Sequence, residues 1–269
     1  MCSSDLELLA DPRFANQRAR FEHVADMAVI IKDWAATFPD RESFEAALEP
    51  MKMPVGAIAQ LADIPDGATI MIGGFGDVGM PFGLIEALIR HSARDLTLVC
   101  NHAGRGEEGI ARVIRQGRVR KMICSFPTQQ SAVVLSEFLR AGRIELELVP
   151  QGTLAERIRA GGSGIEGFYT PTGFGTEVAA DKPVMNFDGI DCILERALKA
   201  DYAFVRAKLA DRWGNLNYNQ SARNFNPPMA MAGKCTIAEV DDIVALGAID
   251  PETVVTPGIF VQRVVRSVS

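Results

Sequence analysis

One stretch, residues 66–81, constrains the fold more than any other part of the chain. Within it, Thr69–Ile72 is short, β-branched and apolar, which predicts a buried strand. Four glycines follow within residues 73–79. Pro81 stands where a helix can begin, because proline lacks the N–H that a first helical turn would leave unpaired anyway. Apolar residues then recur at helical spacing, at Leu84, Ile85, Leu88 and Ile89. The stretch predicts a strand, a glycine loop and a helix, whose N–H groups and positive helix end suit an anion.

The glycine pattern alone leaves three interpretations open. Residues 74–79 fit G-x-G-x-x-G, but a dinucleotide site also needs an acidic residue about 20 residues further on. The next predicted strand, residues 96–100, ends at Asn101 and His102 without a carboxylate. A phosphate loop needs Gly-Lys followed by Ser or Thr, whereas the only Gly-Lys pair, at residues 233–234, precedes Cys235. The third interpretation is a tight turn that binds no ligand.

Composition narrows the class of protein. With 269 residues, of which 48% are hydrophobic, the chain can bury a substantial core. A net charge of -6 and a pI of about 5.2 argue against a general nucleic-acid or anionic-membrane surface, so an anionic ligand would need local donors. Five cysteines without C-x-x-C spacing favour a reducing, cytoplasmic location. No apolar run approaches the ~20 residues of a membrane span, and the charged N-terminus does not resemble a signal peptide.

The chain divides into an extension and a domain. Residues 1–52 carry mixed charge and two segments of helical periodicity, 25–38 and 42–48, which predicts a helical extension of unknown role. Residues 53–269 alternate between strand and helix patterns, which predicts one α/β domain with a mainly parallel sheet covered by helices on both faces. The predicted strands after the glycine loop are 96–100, 121–125, 146–149, 190–195, 202–208, 216–218, 235–240 and 259–265. The predicted helices are 109–116, 131–141 and 153–160, with Glu156 placed for a capping box if Thr153 caps the last one, and the predicted loops are 171–175 and 226–228.

Two pairs of residues stand where predicted strands end, at the edge where open α/β sheets usually bind ligands. Asn101 and His102 follow the second strand, and an amide there can donate to a carboxylate or an oxyanion. A turn-forming Asn beside an incidental His is an equally good interpretation. Gln151 and Gly152 follow the fourth strand, where Gln151 either faces the same edge or bonds its own loop.

Basic residues offer weaker candidates. The run of Arg112, Arg115, Arg118, Arg120 and Lys121 is typical of a solvated helix face, with a phosphate site as the less favoured interpretation. In the run 221–225, the single Arg either clamps a carboxylate or ties down a loop or a contact between subunits, and we favour the second.

The chemistry that is missing is equally informative. Three His and no clustered Cys argue against a zinc site, and the sequence has no G-x-S-x-G elbow. No Asp or Glu stands at a glycine-flanked strand end as an obvious covalent nucleophile. Anion donors and amides without a reactive group indicate a binding module or half of a shared active site.

Several long motifs in order resemble the α subunit of family I CoA-transferases, over about residues 53–269. The family's signature is similar to runs 66–81, 101–104, 150–157, 169–173 and 221–225. Further runs, at residues 123–127, 186–189, 211–216 and 255–262, resemble the 3-oxoadipate branch of the family. The succinyl-CoA:3-ketoacid branch shares the first set and fewer of the second.

The resemblance implies a three-layer CoA-transferase fold and a partner β subunit, in an α2β2 or larger assembly. In that family the β subunit supplies a glutamate that attacks succinyl-CoA, giving an acyl anhydride and then a glutamyl-CoA thioester. Coenzyme A is then a substrate, with no permanently bound cofactor and no metal, and the second substrate is a 3-oxoacid. The absence of a nucleophile in this chain fits that scheme.

The resemblance also assigns residues. The CoA-binding loop maps onto Gly73, Gly74, Phe75, Gly76, Asp77, Val78 and Gly79. Asn101 and Gln151, with their neighbours His102 and Gly152, would bind the acid carboxylate or the oxyanion. His102 departs from the family, whose members commonly have a second Asn there; a neutral imidazole could donate one hydrogen bond in its place.

The preferred interpretation is the α subunit of a CoA-transferase that uses succinyl-CoA and 3-oxoadipate. An acetoacetate transferase is the alternative within the family. A nicotinamide-dependent dehydrogenase fits the glycines but lacks the ribose-binding acid, and a non-catalytic metabolite sensor on an α/β scaffold is the other rival.

Overall fold

The computed structural model describes residues 55–104, 106–127 and 133–267. The predicted helical extension, residues 1–52, lies outside these residues, and the domain start at residue 53 stays a prediction. The helices are α1 (Val55–Gln60), α2 (Phe82–Arg90), α3 (Ile110–Arg115), α4 (Val133–Arg140), α5 (Gln151–Gly162) and α6 (Asn226–Ala232). The strands are β1 (Thr69–Ile72), β2 (Leu96–His102), β3 (Val119–Phe126), β4 (Glu145–Leu148), β5 (Gly167–Thr170), β6 (Val184–Phe187), β7 (Ile190–Arg196), β8 (Ala200–Asp211), β9 (Leu216–Asn217), β10 (Gly233–Val244) and β11 (Arg263–Arg266).

The main sheet is parallel, as the alternating pattern predicts. Its strand order is β11-β10-β8-β1-β2-β3-β4, and each neighbouring pair in that path runs parallel. The short β9 lies off this path and runs antiparallel to β8. Because the path places β1 at its centre, the glycine loop that follows β1 emerges from the middle of the sheet.

Helices cover both faces, which confirms the predicted layering. In β1, Ile70 and Ile72 point into a core that includes buried residues of α1 to α4. Met71 points the other way, into a second core shared with α5 and α6. The continuous burial of β2 on both sides follows from this sandwiching, which is typical of parallel strands between helical layers.

The second half of the chain departs from the prediction. A separate antiparallel sheet, ordered β5-β7-β6, contains two strands that the sequence pattern missed. All four residues of β6 are exposed, so no alternation of burial marks it as a strand. The predicted loop at 226–228 is the start of α6, because Pro227 and Pro228 occupy its first turn, where no N–H partner is lost. The predicted strand 259–265 is a 3₁₀ turn, Gly258–Phe260, followed by β11.

The helix after β4 also begins earlier than predicted. It starts at Gln151, with Pro150 in the cap position and no side-chain cap. Thr153 therefore lies buried within the first turn rather than capping it, since the prolyl residue already sets the extended entry to the helix. No helix in the described part of the chain combines the length and apolarity needed to cross a membrane.

Candidate active site

The carboxyl edge of the parallel sheet brings together the residues that the sequence singles out. The glycine loop follows β1, Asn101 and His102 end β2, and Gln151 begins α5 just after β4. Because β3 lies between β2 and β4, the end of β2 with Asn101 and the end of β4 before Gln151 are two strand spacings apart, at about 4.8 Å each. The predicted site residues therefore share one edge of the sheet.

The glycine loop folds as a tight two-residue hairpin. The N–H of Phe75 donates to the carbonyl of Val78 (3.0 Å), and the N–H of Val78 donates back to Phe75 (3.2 Å). Gly76, at the tip, has a φ of 56°, in the left-handed region that glycine adopts without strain. Among the described residues, the N–H groups of Gly74, Gly76 and Gly79 donate to no protein acceptor.

Three side chains form hydrogen bonds with the backbone carbonyls of this loop. His102 Nε2 lies 2.9 Å from the carbonyl oxygen of Gly76. Asn224 Nδ2 donates to Val78 (2.9 Å), and Asn226 Nδ2 donates to Gly79 (3.0 Å). The loop thus turns its carbonyl side toward the protein.

Two of the glycines are required by packing against the segment 221–226. A Cβ on Gly73 would lie 1.9 Å from Oδ1 of the buried Asn226. A Cβ on Gly79, whose φ is +71°, would lie 2.4 Å from the carbonyl oxygen of Ala222. Asn224 and Asn226 make the side-chain contacts to the loop, whereas Arg223 is exposed, so the predicted role of this Arg in tying down a loop or a subunit contact stays a prediction.

The N-terminus of α2 already holds an anion from the protein itself. The N–H of Leu84 donates to Glu239 Oε2 (3.0 Å), and Ser267 Oγ donates to Glu239 Oε1 (2.9 Å). Glu239 is only 3% exposed. The expectation that this helix end offers its positive charge to a ligand is wrong, because a buried carboxylate neutralises it.

Asn101 is buried and oriented by its neighbour on β3. Its Nδ2 donates to Ser125 Oγ (3.0 Å), and the Ser125 hydroxyl donates to the Asn101 carbonyl (3.3 Å). Asn101 is a strand residue with 5% exposure, which excludes the interpretation as a turn-forming Asn.

The ring of His102 makes two hydrogen bonds, both to backbone. The N–H of Gly104 donates to Nδ1 (2.9 Å), so Nδ1 carries no proton and the ring proton lies on Nε2. Nε2 then donates to the carbonyl of Gly76. Instead of an open donor for an acid, the ring therefore has two protein partners.

The N-terminus of α5 is open. Gln151 and Gly152 are exposed, and the first turn of the helix contains no acidic residue. The first intrahelical bond runs from Leu154 N to Pro150 O (2.8 Å). A Cβ on Gly152 would meet nothing within 4 Å. The helix end thus has space and unopposed positive partial charge.

The basic run does not form a phosphate site. Arg112 and Arg115 pair with glutamates on the protein surface, and Lys121 pairs with Glu145 and Glu147. The other two members bind within the protein: Arg118 is buried and donates to backbone carbonyls of Leu88 and Ala93, while Arg120 donates to Thr97. In the described residues, no group of three or more His, Cys, Asp or Glu is arranged to hold a metal ion.

Sequence reasoning missed three residues that shape this edge. They are Ser125, Asn226 and Glu239, which act on Asn101, the glycine loop and α2 respectively. Ser125 lay within a predicted strand, and its position at the strand end was a usable signal. Glu239 lay inside another predicted strand, where no local pattern indicates a helix end as its partner.

Comparison with known proteins decides the family. The family model described as coenzyme A transferase matches residues 55–267. The chain belongs to the coenzyme A transferase family. The resemblance in the sequence motifs is thereby confirmed, and coenzyme A is a substrate of this family.

Individual members of the family are closely similar to the chain. One subunit of the 3-oxoadipate CoA-transferase of Acinetobacter baylyi is 58% identical over 205 residues, which cover 76% of this chain and 90% of that protein. One subunit of the succinyl-CoA:3-ketoacid coenzyme A transferase of Xanthomonas campestris is 49% identical over 205 residues, covering 75% and 83%. These similarities extend over most of the length of both relatives.

Solved structures confirm the CoA-transferase fold. An acyl-CoA transferase from Escherichia coli O157:H7, in a thioester complex with CoA, superposes with a TM-score of 0.69 over 79% of this chain. The two sequences are 23% identical, and this chain spans 46% of the length of that one. At this identity the similarity concerns the fold alone.

Proposed function

We propose that this chain is the α subunit of a CoA-transferase that moves CoA from succinyl-CoA to 3-oxoadipate, with the reactive glutamate on a partner β subunit. The 58% identity to one subunit of a 3-oxoadipate CoA-transferase, over 90% of that relative, is the observation that carries the proposal. The open, donor-rich sheet edge supports it, because a chain that only binds and orients substrates needs amides and helix ends rather than a nucleophile.

The acid carboxylate or the developing oxyanion binds at the N-terminus of α5. Gln151 and Gly152 stand exposed on the first turn, and the helix end favours negative charge. Asn101, held by Ser125 on the same edge, supplies a second amide. His102 lies beside Asn101 at the end of β2, but backbone groups already occupy both of its ring nitrogens.

Coenzyme A lies along the glycine loop, on the side away from its anchored carbonyls. The N–H groups of the partly exposed Gly76 and Gly79 can donate to the ligand, since in the described chain they donate to no protein acceptor; Gly74 is buried. Apolar side chains that are about half exposed flank the loop and suit the uncharged arm of CoA: Phe75, Val78 and Phe82. Gly73 and Asp77 complete the loop.

The covalent steps proceed on the partner's glutamate. Its carboxylate attacks the thioester carbonyl of succinyl-CoA, the CoA thiolate leaves, and an acyl–glutamyl anhydride forms. The thiolate then attacks the glutamyl carbonyl, which releases succinate and leaves a glutamyl-CoA thioester. The carboxylate of the second acid repeats the two steps in reverse, so that the new thioester leaves and the glutamate is regenerated. This chain stabilises the oxyanions and carboxylates of each step.

Assembly and location complete the proposal. Both similar relatives are named as one subunit of a transferase, which supports pairing with a second, different chain. We propose an α2β2 or larger complex for the pair. Cys100, Cys124 and Cys192 are buried free thiols, in keeping with a cytoplasmic enzyme.

Reconstitution with the cognate β subunit tests the function. Succinyl-CoA is mixed with 3-oxoadipate or acetoacetate, and the new thioester is measured for each chain alone and for the pair. We expect turnover only by the pair, with a higher kcat/KM for 3-oxoadipate. A preference for acetoacetate would favour the second branch, to which the chain is 49% identical. Full turnover by this chain alone, or none by the pair, would reject the proposal.

A further inference from the structure

We propose that His102 is a positioning residue that fixes the tip of the CoA-binding glycine loop, and that it does not bind the acid substrate. This inference rests on the proposed function, because it gives the loop the role of holding CoA. It assigns His102 a task within the donor-substrate site.

The geometry of the ring carries the inference. Gly104 N–H donates to Nδ1 (2.9 Å), which forces the proton onto Nε2 and aims it at the carbonyl of Gly76 (2.9 Å). Gly104 has a φ of +87°, and a Cβ there would lie 3.0 Å from the nitrogen of Ala111. Glycine is therefore required in the turn that supplies the first bond. Both ring nitrogens are engaged, and the neutral tautomer is selected by the backbone.

Hydrogen bonding, more than burial, separates His102 from the substrates. Asn101 is buried to a similar degree but keeps a second Nδ2 hydrogen beyond the one it donates to Ser125, whereas both ring nitrogens of His102 are engaged. The exposure of His102 is 3%, whereas Phe75 and Val78, on either side of the loop tip, are 47% and 49% exposed. The ring contacts the protein side of the loop tip, through the Gly76 carbonyl, while a ligand approaches the exposed side. His102 thus connects the fully buried strand β2 to an exposed loop.

The connection is not duplicated by the other two anchors. Asn224 and Asn226 belong to one segment and hold Val78 and Gly79, on the α2 side of the hairpin. His102 holds Gly76, at the tip. Because a peptide group is planar, fixing the Gly76 carbonyl also fixes the direction of the Asp77 N–H in the same peptide unit. A preorganised loop binds its ligand with a smaller entropic cost.

Side-chain length offers a sharp test. The Oδ1 of an Asn at position 102 lies where Nδ1 lies in His, so His102→Asn can keep the bond from Gly104 but cannot reach Gly76. The Nε2 of a Gln extends as far as the His Nε2, so His102→Gln can keep the bond to Gly76 and lose the one from Gly104. The two variants therefore separate the loop contact from the local turn.

The experiment uses the pair reconstituted with the β subunit, and KM is measured separately for succinyl-CoA and for 3-oxoadipate. Losing one hydrogen bond should raise the KM for succinyl-CoA by about 5- to 10-fold in His102→Ala and His102→Asn. We expect His102→Gln to stay within about threefold of the wild type, and the KM for 3-oxoadipate to stay within about twofold throughout.

His91 provides a matched control. Its Nδ1 also accepts a hydrogen bond from the N–H two residues on, at Ala93 (3.0 Å), but it follows the C-terminal end of α2, away from the loop. His91→Gln should leave both KM values unchanged. Long-range ¹H–¹⁵N correlation spectra of the free chain give a readout independent of activity, in which His102 should show the tautomer protonated on Nε2.

The outcomes are distinguishable. If the wild-type pair transfers no CoA, the proposed function fails. If the pair is active and His102→Ala changes only the KM for the acid, or changes neither KM, the positioning role is wrong. If His102→Ala does not fold, the comparison of His102→Asn with His102→Gln decides. A wild-type KM for succinyl-CoA in His102→Asn but not in His102→Gln would overturn the inference. Protonation on Nδ1 would overturn it as well.

Discussion

Two helix N-termini at the same edge of the sheet differ in what faces them. At α2, which follows the glycine loop, the N–H of Leu84 donates to the buried carboxylate of Glu239. At α5, which follows Pro150, Gln151 and Gly152 are exposed and no acid stands in the first turn. The sequence motif directs attention to the first helix, whereas the structure leaves the second one open.

The difference shows that a glycine-rich approach to a helix does not by itself make an anion site. A helix end carries roughly half an elementary charge, which one carboxylate suffices to neutralise. Here that carboxylate comes from 155 residues away in the sequence. Two glycines of the loop, Gly73 and Gly79, serve close packing against residues 221–226. The proposed anion site lies at the helix whose end the protein leaves unpaired.

The largest effect is expected from a negative charge at the open helix end. Gln151→Glu removes an amide and repels a carboxylate, so kcat/KM of the reconstituted pair should fall about 100-fold or more. The free energy of unfolding should rise by about 0.3–1 kcal/mol, because an acid suits a helix N-terminus. Steady-state kinetics and urea titration measure the two quantities.

Ser163→Glu is the matched control for that change. It places the same charge at the exposed C-terminal cap of the same helix. Activity should be unchanged and stability slightly reduced, since the helix dipole has the opposite sign there. Equal losses of activity in the two variants would mean that the N-terminus of α5 has no special role.

At the closed helix end, the expected effect is on stability. Glu239→Ala leaves the Leu84 N–H without its buried acceptor and also removes the partner of Ser267, so the free energy of unfolding should fall by about 2 kcal/mol. Urea denaturation measures this, with Glu166→Ala as the exposed control. A Glu239 variant of unchanged stability but greatly reduced CoA transfer would reverse the roles assigned to the two helices.

A smaller effect is expected from removing the Ser125 hydroxyl that orients Asn101. Ser125→Ala removes the hydroxyl that accepts from Asn101 Nδ2, and kcat should fall about fivefold, as expected for one lost positioning hydrogen bond. The melting temperature should change little, because the hydroxyl is only partly buried. No change in kcat would show that Asn101 needs no support from β3, or that it lies outside the site.

The smallest effect is expected from Glu147 of β4, which pairs with Arg157 of α5. Burial raises the pKa of Glu147, but hydrogen bonds from Lys121 and Arg157 outweigh it and lower the net pKa below the ordinary value of 4.5. Because the pKa of Glu147 is lower in the folded protein, the carboxylate contributes stability at pH values above its ordinary, unfolded pKa. This contribution is lost as the pH falls through the pKa of the folded state. Glu147→Gln should therefore flatten the loss of stability in acid by about 1 kcal/mol or less. Denaturation at pH 7 and below pH 4.5 measures it, and an unaltered acid profile would contradict it.

The sequence predicts the parallel half of the fold well, because strands and helices alternate there with clear periodicity. It also places Asn101 and Gln151 on one edge, since parallel strands share their carboxyl ends. It does not predict β5 and β6, whose residues lack an alternating pattern of burial. The anchors of the glycine loop were equally hidden, because Asn226 reaches Gly79 across 147 residues and no local spacing encodes such a pairing.

The most direct test asks which of the two chains carries the covalent intermediate. The pair reconstituted with the β subunit is incubated with succinyl-CoA alone, the protein is digested, and the peptides are analysed by mass spectrometry. We predict a CoA thioester on one glutamate of the partner chain and none on this chain. A CoA adduct on a carboxylate of this chain would contradict the claim that it orients substrates for a nucleophile supplied by its partner.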